Sequence, residues 1–261
     1  MILARLQRFV EVTGQALQLL GGTWRYSPRI FFRWREVVRQ MWIIGVESLP
    51  LTCFFLFLIG MVITLLIGIE MSKVGQEDFI GDVVGAAMVR GFGPFMTAFV
   101  LLARNGSSMA AEIGTMAVSE EIPALRIMSI NPVDYIAMPR MIAFSIMGPL
   151  LTVFATAVGI LGGLTVATLQ LNVQAGTFFI RVEHGLAPPL VLYWALFKAF
   201  IFSITIASVA CTMGLKTAGG ALGVGRASRN TVVYSLMLIV ILEFILSSFY
   251  QFVAALMEAK A

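Results

Sequence analysis

Long apolar runs alternate with short polar connections along this chain. Four of the runs are nearly free of charge, and each is longer than the roughly 20 apolar residues that a helix needs to cross a bilayer. A fifth run is interrupted by Arg90 and Pro94, and a central arginine costs about 2.5 to 3.5 kcal/mol on insertion, so this run needs neighbouring helices. The pattern predicts five transmembrane helices, at residues 49–69, 83–103, 141–169, 190–215 and 231–257.

The composition supports lipid as the solvent for most of the chain. Of the 261 residues, 59 % are apolar and only 12 % are charged, whereas soluble domains carry about 25 % charged residues. No stretch outside the apolar runs is long enough to bury a core of its own. We therefore predict an all-α integral membrane protein with one membrane domain, residues 47–257, and no separate globular domain.

Basic and apolar residues alternate along residues 1–46. An apolar stripe at helical spacing is flanked by arginines, and aromatic residues then alternate with arginines; these residues are Arg5, Leu6, Arg8, Phe9, Val10, Thr13, Leu17, Leu20, Arg29, Phe31, Phe32, Arg33, Trp34 and Arg35. The pattern predicts an amphipathic helix in the membrane interface. A soluble basic tail is the alternative, and nucleic-acid binding suits so apolar a segment poorly. The segment lacks the apolar core and cleavage site of a signal peptide.

The basic residues predict the orientation. With five spans, thirteen of the 18 lysine and arginine residues fall on one side of the membrane. Because cytoplasmic loops are enriched in Lys and Arg, that side is expected to be cytoplasmic. The N-terminus is then cytoplasmic and the C-terminus is on the opposite side, as is the acidic loop at residues 70–82.

Residues with catalytic or metal-binding chemistry are scarce. The single histidine, His184, is more typical of a loop histidine than of a ligand, and Cys53 and Cys211 lie in apolar runs as small buried side chains. Residues 220–227 have the glycine spacing of a phosphate loop but lack its lysine and the following Ser or Thr. We predict a flexible turn there, no cofactor bound by this chain and no catalytic activity; any ATP would be bound by another subunit.

Residues 105–140 form the longest connection on the predicted cytoplasmic side. Ser119 is expected to cap a short helix whose first turn holds Glu120, Glu121 and Pro123, and Asn131-Pro132 should end it. Ile122, Leu125 and Met128 mark one apolar face. Such a helix is either a docking element for a partner or a loop helix on the bilayer, and the pattern favours neither.

Within the spans, charged residues and glycines predict helix contacts. Arg90 and Glu243 lie deep, so both are expected to face the interior, whereas Lys198 lies near a span end and could snorkel to the interface. The pairs Gly81/Gly85 and Gly159/Gly163 have the spacing that allows close helix approach.

The central region resembles a known family. The residues that carry the resemblance are Arg90-Gly-Phe-Gly-Pro94, Ala103-Arg-Asn-Gly-Ser107, Ala111-Glu-Ile-Gly-Thr-Met116, Glu121, Ala124-Leu125, Met128, Asn131-Pro132, Pro139-Arg140, and Gly225-Arg-Ala-Ser-Arg-Asn-Thr-Val-Val233 followed by Glu243. Together they resemble the signature of the MlaE/YrbE-type permeases over about residues 50–255.

This resemblance implies the membrane subunit of an ABC transporter that moves phospholipid or a related lipid in the cytoplasmic (inner) membrane of a bacterium. Two copies would form the core, each bound to a cytoplasmic ATPase that holds ATP and magnesium. A periplasmic MCE-domain protein, and often a STAS-domain subunit, would complete the assembly.

The resemblance also implies roles for particular residues. Arg90 and Glu243 would belong to the lipid cavity. The helix at residues 121–130 would be the coupling helix, with ATPase-coupling residues Glu112, Glu120, Glu121, Leu125 and Met128. Residues 1–40 would match the family's interfacial elbow helix, and residues 172–189 would match a short periplasmic helix.

The chain departs from the family pattern at two places. Gly91 stands where the family usually has an acidic residue, and Leu102-Ala103-Arg104 replaces an Ala-Gly-Arg triplet. A membrane-embedded lipid-modifying enzyme and a passive channel or scaffold are the alternative functions, but the first would need a catalytic cluster that the sequence does not offer.

Overall fold

A computed structural model describes residues 2–26, 33–186 and 189–258, and within these ranges the regular elements are all helices. In chain order they are α1 (Ile2–Tyr26), α2 (Trp34–Lys73), α3 (Glu77–Val118), α4 (Glu121–Ile127), α5 (Val133–Leu169), α6 (Ala175–Gly185), α7 (Pro189–Leu215) and α8 (Gly220–Glu258). Five of them, α2, α3, α5, α7 and α8, are long and apolar enough to cross a membrane. The predicted all-α membrane fold with five spans is confirmed.

The spanning helices are longer than the apolar runs that predict them. Helix α3 covers Glu77–Val118 rather than residues 83–103, so the first part of the connection predicted at residues 105–140 continues the span. Two π-helical turns, Met88–Phe92 and Leu102–Gly106, interrupt α3 without ending it. A π turn inserts one residue into the hydrogen-bonding pattern, and in this way the helix accommodates Pro94 and its neighbouring glycines.

The chain forms two compact units. The first contains Met1–Glu47, Leu101–Met147 and Ile201–Ile241, and the second contains Ser48–Val100, Gly148–Phe200 and Leu242–Ala261.

The core of the second unit lies where α6 packs against the start of α3. Ile80, Val84 and Met88 are fully buried there, as is Phe178 of α6. Glycines permit this approach: a Cβ on Gly81 would lie 2.6 Å from the carbonyl oxygen of Phe178. The predicted close contact at Gly81 is confirmed, and α6 lies within the stretch predicted at residues 172–189.

Helices α2 and α5 also approach closely in the second unit. A Cβ on Gly159 would lie 3.0 Å from the carbonyl oxygen of Leu56, and a Cβ on Gly163 would lie 2.5 Å from Thr64 Oγ1. Larger residues would push the two backbones apart. The predicted small-residue contact at Gly159 and Gly163 is confirmed.

In the first unit, α1 packs one face against α7 and α8. Val12 and Ala16 are buried against Val209, with Met213, Tyr234 and Leu238 around them. Val10 and Leu17 of the same helix are exposed. Helix α1 therefore has apolar side chains both on the face that packs against the protein and on its exposed surface. Arg29, Phe31 and Phe32, and the side chains of Arg5, Leu6, Arg8 and Phe9, lie outside the described residues.

The flexible turn predicted at residues 220–227 is wrong, because these residues form the first turns of α8. The turn lies one residue earlier. Gly219 and Gly220 have φ values of +90° and +65°, a region that residues with a side chain rarely adopt. The chain therefore reverses at these two glycines, and the helix begins immediately.

Candidate functional site

The second unit contains a cavity of about 580 Å³, which we call the aromatic cavity. Its lining residues come from α3, α7 and α8 and are Asp82, Val83, Ala86, Ala87, Arg90, Gly91, Phe92, Val191, Trp194, Lys198, Ser247, Tyr250 and Gln251. Most are apolar or aromatic, and two are cationic. Such a lining suits a ligand that is mostly hydrocarbon but carries negative charge.

Lys198 is the most buried charged side chain of this cavity, with 1 % of its surface exposed. Its Nζ donates hydrogen bonds to Glu243 Oε1 at 2.7 Å, Ser247 Oγ at 2.7 Å and the Arg90 carbonyl oxygen at 2.9 Å. Three acceptors match the three protons of an ammonium group. The prediction that Lys198 snorkels is therefore wrong, because its partners on α3 and α8 hold it inside the protein.

The backbone irregularity of α3 supplies one of these acceptors. In a regular α-helix, the carbonyl of Arg90 would accept a hydrogen bond from the backbone N–H four residues later. That residue is Pro94, which has no N–H. Arg90 lies in the π turn Met88–Phe92, and its carbonyl oxygen accepts from Lys198 instead. The residues that interrupt the apolar run in the sequence thus help to build the charged cluster.

The guanidinium group of Arg90 is open to the cavity. Its Cζ lies 5.9 Å from the ring centroid of Tyr250, and it forms no ion pair with a carboxylate of the described residues. Arg90 is exposed on this chain. A cation over an aromatic face, without a carboxylate partner, is available to an anionic ligand group.

Glu243 belongs to the same cluster but lies behind Lys198. Its Oε1 accepts from both Lys198 and Ser247, and its Oε2 is buried without a hydrogen-bond partner in the part of the chain that the structure describes. Glu243 is not among the residues that line the aromatic cavity. The structure therefore brings Arg90 and Glu243 together, with Arg90 facing the cavity and Glu243 fixing Lys198.

Gly91, which stands where the family usually has an acidic residue, lies beside Glu243. A Cβ at this position would lie 4.0 Å from Glu243 Oε1. An acidic side chain there would place a second carboxylate close to Glu243. In this chain, Glu243 is the carboxylate that pairs with Lys198.

Trp194 is a cavity residue that sequence analysis missed. Its ring stacks on Phe249 at 5.8 Å and contacts Phe197 and Tyr250. Its position gave no signal in the sequence, because aromatic residues are common in apolar spans. The Lys198–Glu243 pair did have a signal, namely two opposite charges in different spans.

The first unit contains another cavity, of about 870 Å³, which we call the arginine cavity. Its lining residues come from the start of α2, from α3 and α4, and from the start of α5, and are Arg33, Arg35, Glu36, Arg39, Met116, Glu121, Ala124, Leu125, Met128, Tyr135, Ile136, Pro139 and Arg140. Four arginines in one cavity indicate a preference for anions.

Helix α4 is the short helix predicted between the second and third spans, but its boundaries differ. Ser119 ends α3 and does not cap α4; its Oγ donates to Glu121 Oε1 at 2.9 Å. Glu120 precedes the helix with a left-handed φ of 62°. The helix ends at Ile127, earlier than predicted, because Ser129 also has positive φ and Asn131 Oδ1 accepts from the N–H of Val133 in α5.

The structure divides the predicted coupling residues. Ile122 is buried, Leu125 is half-buried in the lining of the arginine cavity, and Met128 is 61 % exposed. Glu112 pairs with Arg140 at 3.2 Å, while Glu120 and Glu121 are exposed. Ile127, which the predicted stripe omitted, is 86 % exposed and is the most prominent apolar side chain of α4.

The described residues contain no group of three or more potential metal ligands. His184 Nδ1 lies 3.2 Å from Asp82 Oδ1, and Arg181 pairs with the same carboxylate at 3.5 Å. This trio links α6 to α3 and does not resemble a catalytic dyad with a nucleophile.

Comparison with known proteins decides the family. The profile of the permease MlaE family matches residues 37–249, a range that includes most of the lining residues of both cavities. The chain belongs to the MlaE permease family. It is 36 % identical to a probable ABC transporter permease of Synechocystis over 213 residues, covering 82 % of this chain and 81 % of that protein.

Two further relatives of this MlaE-family permease are informative. A probable ABC transporter permease of Rickettsia felis is 33 % identical and is covered over 82 % of both chains. The chloroplast protein trigalactosyldiacylglycerol 1 of Arabidopsis thaliana is 33 % identical over 83 % of this chain and 62 % of its own length. The chain is therefore the multi-pass permease subunit of an ABC transporter, a class that works with an ATPase.

Proposed function

We propose that this MlaE-family permease moves phospholipid, and that the aromatic cavity holds the lipid during transport. The observation that carries the proposal is the lining of that cavity: mostly apolar and aromatic side chains surround Arg90, which forms no ion pair within the described part of the chain. Acyl chains need the apolar surface, and the phosphate needs a cation. The name of the Arabidopsis relative contains a glycerolipid, which supports a lipid as the substrate class.

The cavity calls for a second copy of the chain. Arg90 is exposed on a single chain, and α8 carries a row of exposed apolar residues that includes Phe244 at 74 % and Phe252 at 63 % exposure. Lipid or another apolar helix must cover such a row. We propose a homodimer in which the second copy encloses the aromatic cavities.

We propose the orientation of the chain in the membrane from the uneven distribution of its Lys and Arg residues. The arginine-rich N-terminal region and α4 lie in or near the cytoplasm, the C-terminus is periplasmic, and the membrane is the inner membrane of a bacterium. A periplasmic MCE-domain protein would receive or deliver the lipid, and a STAS-domain subunit could accompany the ATPase.

Helix α4 is proposed as the coupling helix. Ile127 at the end of the helix and Met128 directly after it are exposed, and a groove on the ATPase would cover them while the ATPase binds ATP and magnesium. Closure of the ATPase would then act on α4 and on the helices connected to it. The exposed Glu120 and Glu121 are available for polar contacts at the edge of this interface.

The coupling proposal is tested by Ile127→Arg. A buried arginine in an apolar groove lacks a partner, so we expect at least tenfold less ATPase to co-purify with the permease. Arg229→Ala, an exposed change on α8, is the control. Equal recovery of ATPase with Ile127→Arg and wild type would contradict the role of α4.

The lipid proposal is tested by Arg90→Ala. We expect about tenfold lower occupancy of phospholipid on the purified dimer, measured by native mass spectrometry, because a charge-assisted contact to phosphate is lost. Arg229→Ala again serves as the control, since it removes the same charge away from the cavity. Equal lipid per dimer in both variants would refute the assignment.

The alternatives make different predictions. A lipid-modifying enzyme would turn over substrate as an isolated chain, and a passive channel would pass lipid or ions without nucleotide. No observation in the described residues favours either one.

A further inference from the structure

We propose that the arginine cavity of the first unit binds the phosphate-bearing headgroup of an anionic phospholipid, separately from the transported lipid. The site would be a fixed lipid contact of the permease. It requires neither transport nor ATP. The proposal therefore goes beyond the function proposed above.

Arg140 gives the strongest indication of a missing ligand. Its side chain is 8 % exposed, and one of its guanidinium nitrogens, Nη2, pairs with Glu112 at 3.2 Å. The other, Nη1, is buried and has no hydrogen-bond partner among the residues that the structure describes. Arg140 lines the cavity, and a buried guanidinium nitrogen without a partner is costly. A phosphate oxygen in the cavity would satisfy it.

The α2 side of the cavity adds cations that are still available. Arg35 forms no ion pair with the described residues, and Arg39 has only Glu36 at 3.7 Å, with 71 % of the arginine side chain exposed. These two arginines are four residues apart and therefore lie on the same face of α2. Together with Arg140, they can surround a phosphate from two helices.

The fourth arginine is already engaged. Arg33 lies 4.0 Å from Asp134 and 4.3 Å from the ring centroid of Tyr135. These contacts connect the start of α2 to the start of α5. Arg33 therefore shapes the site, while Arg35, Arg39 and the second guanidinium nitrogen of Arg140 would donate to the ligand.

The face of α2 next to that of Arg35 and Arg39, about 100° around the helix, indicates that the ligand comes from the bilayer. Trp34, Val38 and Trp42 follow each other at intervals of four residues and are 56 %, 44 % and 60 % exposed. Tryptophan is enriched at the depth of lipid headgroups, and the apolar run of the first span follows directly. A helix with tryptophans on one face and arginines on the neighbouring face places those arginines at the depth of the lipid phosphates.

The net charge of the lining favours an anionic lipid over a zwitterionic one. Glu36 and Glu121 are the carboxylates among the lining residues, against four arginines. A phosphatidylglycerol headgroup adds one negative charge, whereas the choline of phosphatidylcholine adds a cation beside the arginines. Binding should therefore depend on headgroup charge and should weaken with salt.

The test measures binding of fluorescent phosphatidylglycerol to the full-length permease in detergent. All proteins carry Arg90→Ala, so that the aromatic cavity contributes little to the measured lipid binding. The result then does not depend on whether the transport proposal is correct. Arg35→Gln/Arg39→Gln should weaken binding about twentyfold, the combined loss expected of two partly exposed ion pairs. Arg229→Gln, an exposed arginine outside the cavity, should change it less than twofold.

Four results would overturn the proposal. Affinity could be the same in the double variant and in Arg229→Gln, or equal for phosphatidylglycerol and phosphatidylcholine. Inorganic phosphate at about 10 mM could displace the lipid completely, which would identify a small-anion site. The double variant could also retain lipid binding but lose co-purification of the ATPase, which would assign the arginines to an acidic segment of that partner.

Discussion

The aromatic cavity and the arginine cavity use positive charge in different ways. In the aromatic cavity, Lys198 is buried and every one of its protons has an acceptor. In the arginine cavity, Arg39 is largely exposed and its carboxylate partner lies 3.7 Å away. Coulomb interactions are several times stronger away from water. For the same reason, a buried charge without a partner costs more free energy than an exposed one. The Lys198 pair should therefore govern folding, and the exposed arginines should govern ligand binding.

The largest expected effect is that of Lys198→Met, which tests the structural side of this comparison. Removal of the ammonium leaves the Glu243 carboxylate without its main partner in a mostly apolar site. We expect a loss of about 3 kcal/mol in the free energy of unfolding, measured by denaturant titration in detergent. Lys198→Met/Glu243→Gln, which removes both charges, should recover most of that loss. If the double variant were as unstable as the sum of the two single variants, the pair would not be coupled.

Gly91→Asp should have an intermediate effect. The new carboxylate would approach Glu243, since a Cβ at this position lies 4.0 Å from Glu243 Oε1, and it would compete for Lys198. We expect a loss of stability of about 1 kcal/mol, a net value because Lys198 offsets part of the repulsion. Gly91→Asn has nearly the same shape without the charge. An equal loss with Asn, measured by the same titration, would assign the effect to volume and not to charge.

Arg39→Gln should have the smallest effect on stability. The pair with Glu36 is exposed on both sides, and such pairs contribute about 0.2 to 1 kcal/mol. A shift of the melting temperature below about 2 °C is expected in detergent without anionic lipid. A loss comparable to that of Lys198→Met would remove the distinction between the two cavities.

The sequence predicted the fold because the signal for a spanning helix is long and local. Uncharged runs such as residues 49–69 and 141–169 identify spans without any knowledge of their neighbours. The sequence predicted the first and last residues of the helices less well. The π turns of α3 let the helix continue past Pro94, and nothing in the local pattern distinguishes that outcome from a break.

The site was only partly predictable, since its chemistry depends on contacts between distant residues. Arg90 and Glu243 were expected in one cavity, but the role of Lys198 depends on the rotation of α7 relative to α8, which hydropathy does not report. The exposure of Ile127 has a similar cause: the i, i+3 pattern of Ile122, Leu125 and Met128 predicts one face, whereas Ile122 is buried and Ile127 is exposed. No local pattern distinguishes Arg140 from other arginines, because the lack of a partner for its Nη1 among the described residues is a property of the tertiary structure.

The most direct test of the account asks whether lipid occupies the aromatic cavity and leaves it when ATP is used. Ala87, a lining residue, is replaced by the photoreactive p-benzoylphenylalanine, and the permease is reconstituted with its ATPase in vesicles that contain radiolabelled phospholipid. We predict labelled adducts at position 87 that decrease when ATP and magnesium are added, with little labelling from the same probe at the exposed Leu222 of α8. Adducts that are absent at position 87, or equal at both positions and insensitive to ATP, would contradict the account.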